Sequence, residues 1–222
     1  MPSLRGSGVP EYPEVMSATV EQHTVAAALR RFPRRALDRP ALKRSAVGIT
    51  LTVEDFGCAF LLTRRAARMR GHAGQWALPG GRTDGDETAG ETARRELAEE
   101  LGLTLGPEAE LGLLDDYATR SGYVITPVVL WAGPSPALVP NPAEVAELHR
   151  VALEDLDVEP RYLTIPESDA PVIQLPLLGR NVHAPTGAVL HQFREVVLHG
   201  RATRVAHLEQ PVFAWRCVAR PA

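Results

Sequence analysis

One segment, residues 81–103, constrains this chain more than any other. It reads GRTDGDETAGETARRELAEELGL and holds seven carboxylates and three arginines. Thr88 and Glu91 have the spacing of a capping box, in which each residue's side chain accepts from the other's backbone N–H. Gly102 suits the position just past the end of a helix, where a left-handed backbone is favoured. The segment therefore predicts one helix that begins at Thr88 and ends at Gly102.

Three carboxylates share one face of the predicted helix. Glu96, Glu99 and Glu100 stand at i, i+3 and i+4, so they span an arc of roughly 100°. Leu97 and Leu101 lie on the adjacent face and can anchor the helix to a sheet. The row could be an ordinary solvated face, because charged helices with i, i+4 pairs are common. Three like charges on one arc repel one another, however, and a divalent cation would remove that cost.

The residues before the helix agree with a ligand site. Pro79, Gly80 and Gly81 make a loop without bulky side chains, which allows a close approach of the backbone to a ligand or metal. A plain turn between strand and helix is the other interpretation. Mg²⁺ and Mn²⁺ favour hard oxygen ligands and are often completed by substrate phosphates. Loop and helix together therefore favour metal-assisted phosphate chemistry.

The same residues carry a family resemblance. Gly81 is followed after five residues by Glu87, and after seven more by the run RELAEELGL, residues 95–103. This spacing reproduces the Nudix box without a departure, so the chain resembles the Nudix hydrolase superfamily. The resemblance implies an α+β class and the Nudix fold, a mixed β-sheet sandwiched between α-helices. It also implies hydrolysis of a nucleoside diphosphate linked to another moiety.

The resemblance implies roles for the residues of the box. Glu96 and Glu100 are the first choice for ligands of Mg²⁺ or Mn²⁺, Glu99 is expected to serve a second ion or to act through water, and Gly80 completes the metal set. Arg95 is expected to hold the glutamates in position. The general base stays open between Glu99 and an acidic loop residue outside the box.

The segment upstream narrows the resemblance. LLTRRAARMRGHAGQWALPGG, residues 61–81, is similar to the signature of the coenzyme A pyrophosphatases, and the likeness covers roughly residues 45–157. The positions in register are Leu61, Leu62, Thr63, Arg65, Ala66, Arg70, Gly74, Pro79, Gly80 and Gly81. A basic loop here could clamp an anionic substrate, although several of its arginines could equally be solvated. The residues predicted to bind substrate are Arg65, Arg70, His72, Gly80 and Gly81.

The chain departs from that family in two places. Leu78 stands where Phe is usual, and QPVFAWRCV, residues 210–218, replaces the usual C-terminal segment. Coenzyme A or acyl-coenzyme A, cleaved to 3′-phospho-ADP and a phosphopantetheine product, is the first substrate candidate. Another nucleotide, such as a nucleotide sugar, a dinucleotide or an oxidised nucleoside triphosphate, is the second. A non-catalytic module that senses a nucleotide is the third.

The remaining patterns predict how the chain is organised. We expect a loose arm over residues 1–17 and a single domain over residues 18–222, with its core at about 45–157. A helix is expected before Pro33, a basic, solvated linker after it, and a strand pair across the turn EDFG. A Pro-rich loop follows residue 134, a strand and a short helix come next, a second long helix ends at Gly200, and residues 210–218 are predicted to form a last strand.

Composition excludes several classes of protein. The net charge of −3 and the pI near 6.2 give no general attraction to nucleic acid or to an anionic membrane. No apolar run approaches the length of a membrane span. Cys58 and Cys217, far apart in sequence, are expected to be reduced thiols. We therefore expect a cytoplasmic protein whose partner is a small nucleotide substrate. The sequence is also compatible with a homodimer.

Overall fold

The computed structural model describes residues 20–67 and 74–215. Eleven strands lie in this part of the chain. They are β1 (Lys43–Glu54), β2 (Gly57–Arg65), β3 (Trp76–Ala77), β4 (Gly80–Arg82), β5 (Glu110–Leu113), β6 (Tyr117–Ala118), β7 (Tyr123–Pro134), β8 (Val145–Ala152), β9 (Arg161–Ile165), β10 (Ser168–Leu177) and β11 (Arg180–His183). The α-helices are α1 (Gln22–Arg31), α2 (Ala89–Leu101), α3 (Thr186–Phe193) and α4 (Val212–Trp215).

The first eight strands form one mixed sheet. β1 pairs parallel with β7 and antiparallel with β2 and β4. β2 also pairs with β3 and β8, and β7 with β5 and β6, all antiparallel. The hairpin across EDFG is confirmed, with Glu54 opposite Gly57. Residues 109–120 contain two short strands, β5 and β6.

Helices cover both faces of this sheet, as the α+β prediction requires. On one face, Leu97 and Leu101 of α2 join a buried cluster with Leu61 and Val128. On the other face, α1 and α3 pack into a larger cluster whose members include Val25, Leu29, Ile49, Leu51, Phe60, Leu190 and Phe193. Long apolar strand residues are thus buried on both sides, and the sheet forms the middle layer.

The C-terminal part of the described chain holds structure that the sequence did not predict. β9, β10 and β11 form a separate three-stranded antiparallel sheet. The predicted second long helix is confirmed as α3 followed by a π-helical turn, Arg194–Leu198, before Gly200. The strand predicted over residues 210–218 is wrong: Val212–Trp215 is helical, and residues 216–218 lie outside the described part. Pro211 favours this result, because its missing N–H and fixed φ suit a first helical turn.

Most residues of the basic linker are exposed, as expected of a solvated segment, but the linker also contacts the folded core. Arg34 donates to the buried carboxylate of Asp116 at 2.6 Å, and Arg44 donates to the same carboxylate at 3.3 Å. The backbone N–H of Leu37 also donates to Asp116, at 2.8 Å. Asp115 accepts the backbone N–H of Arg35 at 2.7 Å, so two adjacent acids tie the linker to the end of the main sheet. Across residues 20–67 and 74–215, we find no helix with the length and apolar character needed to cross a membrane.

Candidate active site

The acidic helix starts and stops where its sequence predicts. Thr88 accepts the backbone N–H of Glu91, and Glu91 accepts the backbone N–H of Thr88, so the capping box is present. Gly102 adopts a left-handed conformation (φ 66°) at the other end. These caps fix the rotational setting of α2, and hence the direction in which its glutamates point.

The loop before the helix lies directly beneath two of those glutamates. Gly80 and Gly81 form most of β4 and pair with Val47 and Ala46 of β1. A Cβ built on Gly81 would overlap the carboxylate of Glu96, with Oε2 only 2.6 Å away. The absence of a side chain at position 81 is therefore what lets Glu96 lie against the backbone of the loop.

Glu100 is the most deeply buried acid of the row. Its side chain is 3% exposed and lies 3.5 Å from the guanidinium of Arg65. Burial raises the pKa of Glu100 to about 7, which the positive charge of Arg65 opposes and the negative charges of Glu96 and Glu144 reinforce. The backbone N–H of Gly80 donates to this carboxylate. The helix, the glycine loop and β2 thus meet at Glu100.

Glu96 is held in a similar environment. Its side chain is 13% exposed, and burial is the main reason its pKa is raised, with further contributions from Glu99 and Glu144. Arg95 opposes this shift through a hydrogen bond of 2.8 Å. Glu144 thus lies close enough to influence the pKa of both Glu96 and Glu100. It precedes β8 in the Pro-rich loop, and no local pattern pointed to it.

Arg95 connects the helix to the loop. Its Nε donates to Glu87 at 2.8 Å, its Nη1 to Glu96 at 2.8 Å and to Glu99 at 3.2 Å, and its Nη2 to the carbonyl of Arg82 at 2.8 Å. The hydrogen bonds to Glu87 and Glu96 raise the pKa of Arg95. One fixed fork of donors therefore sets the positions of three carboxylates, which a single ammonium could not do.

Glu87 is directed at the loop and away from the buried acids. The guanidinium of Arg95 lowers its pKa from 4.5 to about 2, and the backbone N–H of Asp84 and the hydroxyl of Thr92 act in the same direction. Both of its oxygens are occupied by these donors. Glu87 therefore stabilises the loop through these hydrogen bonds, and its carboxyl is ionised at neutral pH.

The carboxylates do not converge as they would around a bound ion. Glu99 is 55% exposed and is held by Arg95, and in residues 20–67 and 74–215 no three acidic, imidazole or thiol side chains share one centre. The donor chemistry nevertheless fits a hard divalent cation. Glu100 is buried, Glu96 is largely buried, and burial raises the pKa of both carboxyls although Arg65 and Arg95 lie beside them. Release of Glu96 from Arg95 would free one more oxygen ligand.

The predicted substrate residues fall into two groups. Arg65, Gly80 and Gly81 line one cavity of about 280 Å³ beside the acidic helix. Arg70 and His72 lie outside the described residues. Arg64, from the same basic stretch, is paired with Glu147 at 2.5 Å. Arg82 also lines the cavity, and sequence reasoning missed it although it follows Gly81 directly.

A family comparison agrees with this geometry. Residues 42–175, more than half of the chain, match the family model described as NUDIX domain. The chain belongs to the Nudix family. The matched region contains β1 through most of β10, and so includes the glycine loop and the acidic helix of this Nudix domain.

Curated relatives carry the same family name. The chain is 43% identical over 96 residues to a protein of Photorhabdus laumondii named "Uncharacterized Nudix hydrolase NudL", a match covering 43% of this chain and 51% of that protein. A protein of the same name from Pectobacterium atrosepticum is 42% identical over 103 residues, covering 46% and 54% respectively. The Nudix chain thus spans about half the length of the curated relatives it matches.

A solved structure supports the fold. The Nudix hydrolase RenU from M. smegmatis aligns with a TM-score of 0.50 at 23% identity, covering 73% of this chain and 89% of that one. At this level of identity the likeness concerns the fold alone. It agrees with a mixed sheet enclosed by helices.

Proposed function

We propose that this Nudix chain hydrolyses the phosphoanhydride bond of a nucleoside diphosphate derivative with the help of Mg²⁺ or Mn²⁺. One observation carries the proposal: Glu96 and Glu100, a largely buried and a buried acid with raised pKa values, lie against Gly80 and Gly81, and these two glycines line a cavity. Two like charges held close together and away from water are costly in a merely structural role. Such a pair of carboxylates is useful where a protein must bind divalent cations next to substrate phosphates.

The metal would be held by hard oxygen donors. Glu96 and Glu100 are the first ligands we assign, with Glu99 and the backbone of Gly80 as further donors. A bound divalent ion neutralises the diphosphate and lowers the pKa of a coordinated water. The family membership of the chain supports this assignment.

The chain's own side chains have separate tasks in this proposal. Arg95 positions Glu96 and Glu99 through its hydrogen bonds. Arg65 and Arg82, which line the cavity, bind the anionic substrate. Glu144, whose charge raises the pKa of both Glu96 and Glu100, is a candidate general base alongside Glu99. Arg70 and His72 stay predicted substrate residues.

Coenzyme A or acyl-coenzyme A is the substrate we place first, because of the resemblance of residues 61–81 to the coenzyme A pyrophosphatases. A different nucleotide is the second candidate, and a specific feature favours it. Gln210, in the segment that departs from that family, lines the cavity together with Pro185 and Thr186, which lie beyond the residues that the resemblance covers. A cytoplasmic location and a homodimer stay predictions.

One experiment tests the function. Coenzyme A, nucleotide sugars, dinucleotides and oxidised nucleoside triphosphates are incubated with the protein and Mg²⁺ or Mn²⁺, and the products are resolved by chromatography. We expect turnover that Glu100→Gln reduces by at least about a hundredfold. Glu167→Gln, the same change at an exposed position, serves as the control and should leave the rate unchanged. Silence of the wild-type protein across the panel would instead favour the non-catalytic module.

A further inference from the structure

A second depression, of about 440 Å³, adjoins the cavity beside the acidic helix. It is formed by the first residues of β1, the end of β4 and the loop that follows β4. Its charged lining residues are Lys43, Arg44, Arg82, Asp86 and Glu87. Arg82 also lines the cavity, so the two spaces meet at this side chain. We call the second space the basic depression.

Lys43 and Arg82 lie on the same face of the main sheet as the cavity. Ser45 pairs with Arg82 of β4 and with Ile125 of β7, and residues that pair across strands share a face. Ser45 and Ile125 both line the cavity. Lys43 stands two positions before Ser45, so its side chain lies on this face as well. Lys43 and Arg82 are thus diagonal neighbours, roughly 7–8 Å apart and within reach of one ligand.

Both of these cations are accessible to a ligand. Lys43 and Arg82 are exposed residues, and Nζ of Lys43 lies 6.0 Å from the ring centre of Tyr123. Because Tyr123 lines the cavity, this ammonium is placed at the border between the cavity and the basic depression. Within residues 20–67 and 74–215, neither Lys43 nor Arg82 forms an ion pair with an acid.

The other charged residues of the basic depression do not neutralise these two. Arg44 lies 3.3 Å from the carboxylate of Asp116, and Glu87 lies 2.8 Å from the guanidinium of Arg95. Asp86 is the remaining acid, and it is exposed. Two unpaired cations therefore face one solvated acid, and the depression is positive in a chain whose net charge is −3.

We propose that Lys43 and Arg82 bind a phosphate monoester that the substrate carries in addition to its scissile diphosphate. This inference rests on the proposed function, because the diphosphate is expected beside Glu96. Gly81, against which Glu96 lies, pairs with Ala46. Lys43 is three residues before Ala46, which is roughly 10 Å along the strand. That separation is too long for neighbouring phosphoryl groups of one diphosphate, and it suits a phosphate on another part of the molecule.

The charge of a phosphate monoester fits this pair of cations. Such a group carries about −1.5 to −2 charges at pH 7 and has three acceptor oxygens, so it can accept from an ammonium and a guanidinium at once. Phosphates at the 2′ or the 3′ position of a ribose share this chemistry. Lys43 precedes the region similar to the coenzyme A pyrophosphatases, residues 45–157, so it is not among the residues that carry that resemblance.

The test uses two pairs of substrates that differ only in this phosphate. Coenzyme A is compared with its 3′-dephospho form, and NADP with NAD, by the ratio of kcat/KM within each pair. At low salt, we expect wild type to prefer the phosphorylated member of one pair by about three- to tenfold, the effect of a charged contact weakened by solvent. The Lys43→Gln variant should lose most of this preference, Lys43→Arg should keep it, and added salt should reduce it.

A matched control separates the contact from the net charge of the protein. Arg161→Gln removes one positive charge from the exposed first residue of β9, and it should leave both ratios unchanged. Thermal melting shows whether Lys43→Gln is folded, and Arg82→Gln takes its place if it is not. A preference that persists in the folded variant, or wild type without a preference in either pair, would overturn the inference.

Binding measurements distinguish this inference from the proposed function. Calorimetry compares AMP with adenosine 3′,5′-bisphosphate and adenosine 2′,5′-bisphosphate, for wild type and for Lys43→Gln. Hydrolysis without any preference for the extra phosphate overturns the inference alone. Tighter binding of a bisphosphate than of AMP, lost in Lys43→Gln and seen without hydrolysis, supports the inference while the proposed function fails. Neither binding nor hydrolysis overturns both.

Discussion

The carboxylate of Glu96 lies so close to the α-carbon of Gly81 that any side chain at position 81 would displace it. The neighbouring glycine is constrained differently. A Cβ on Gly80 would meet backbone, including the α-carbon of Val47 at 2.7 Å. The two adjacent glycines therefore have different roles. Gly81 leaves room for the carboxylate of Glu96, and Gly80 allows β4 to pair closely with β1.

This contrast predicts opposite outcomes for two matched substitutions. Gly81→Ala should fold with nearly unchanged stability, because the end of a flexible side chain can move, but it should lose about a hundredfold in activity as Glu96 is displaced. Gly80→Ala should lower the free energy of unfolding by about 2 kcal/mol or more, because backbone must shift. Urea titration and rate measurements on both variants check this. A destabilised Gly81→Ala would contradict it.

The Arg95→Lys variant should show whether Arg95 acts by positioning the glutamates or only by its positive charge. Lysine keeps the positive charge but cannot reach Glu87, Glu96 and Glu99 with one rigid fork. We expect kcat to fall by about ten- to a hundredfold with a smaller change in KM, because the acids lose their setting while the substrate contacts remain. Arg94→Lys, on the same helix, is the control. Equal rates for the two variants would show that Arg95 has no positioning role.

The acidic helix could be predicted because its signals are local. The capping box of Thr88 and Glu91 and the left-handed Gly102 are set by spacing along the chain, and both appear in the structure. Contacts between distant segments left no such signal. Glu144 reaches Glu96 and Glu100 from a loop more than forty residues away, and nothing in its neighbourhood distinguishes it from a solvated acid.

The small sheet of β9, β10 and β11 was missed for a different reason. Pro171 and Pro176 lie inside β10 and interrupt the alternation that predicts a strand. The structure tolerates Pro171 because the register of β9 and β10 shifts between Ser168 and Val172. Such a shift depends on the partner strand, so the sequence of β10 alone does not reveal it.

Glu195 predicts a pH dependence of stability. Hydrogen bonding from Arg201 is the main reason its pKa falls from 4.5 to about 2. Between about pH 2 and pH 4.5, the carboxyl of Glu195 therefore binds fewer protons in the folded protein than in the unfolded chain. The contribution to stability is complete above about pH 5 and is lost as the pH falls through 2.

Glu195→Gln should accordingly lower the free energy of unfolding by roughly 1–3 kcal/mol at pH 7. The difference between wild type and variant should shrink to about half at pH 3, because the unfolded carboxyl is protonated there. Denaturant titrations of both proteins at the two pH values measure it. A difference that is the same at pH 3 and pH 7 would show that the ionised group contributes nothing.

Cys58 predicts a protected thiol. It lies in the larger core cluster, on the face of the main sheet that α1 and α3 cover, and burial raises its pKa to about 11. At pH 8 only about one such thiol in a thousand is ionised, and the thiolate is the reactive form. In a Cys217→Ser variant, Cys58 should therefore resist a disulfide reagent in the native state and react fully once denatured. The Cys58→Ala variant measures the reactivity of Cys217 separately. Rapid modification of Cys58 in the native Cys217→Ser variant would mean that this core opens readily.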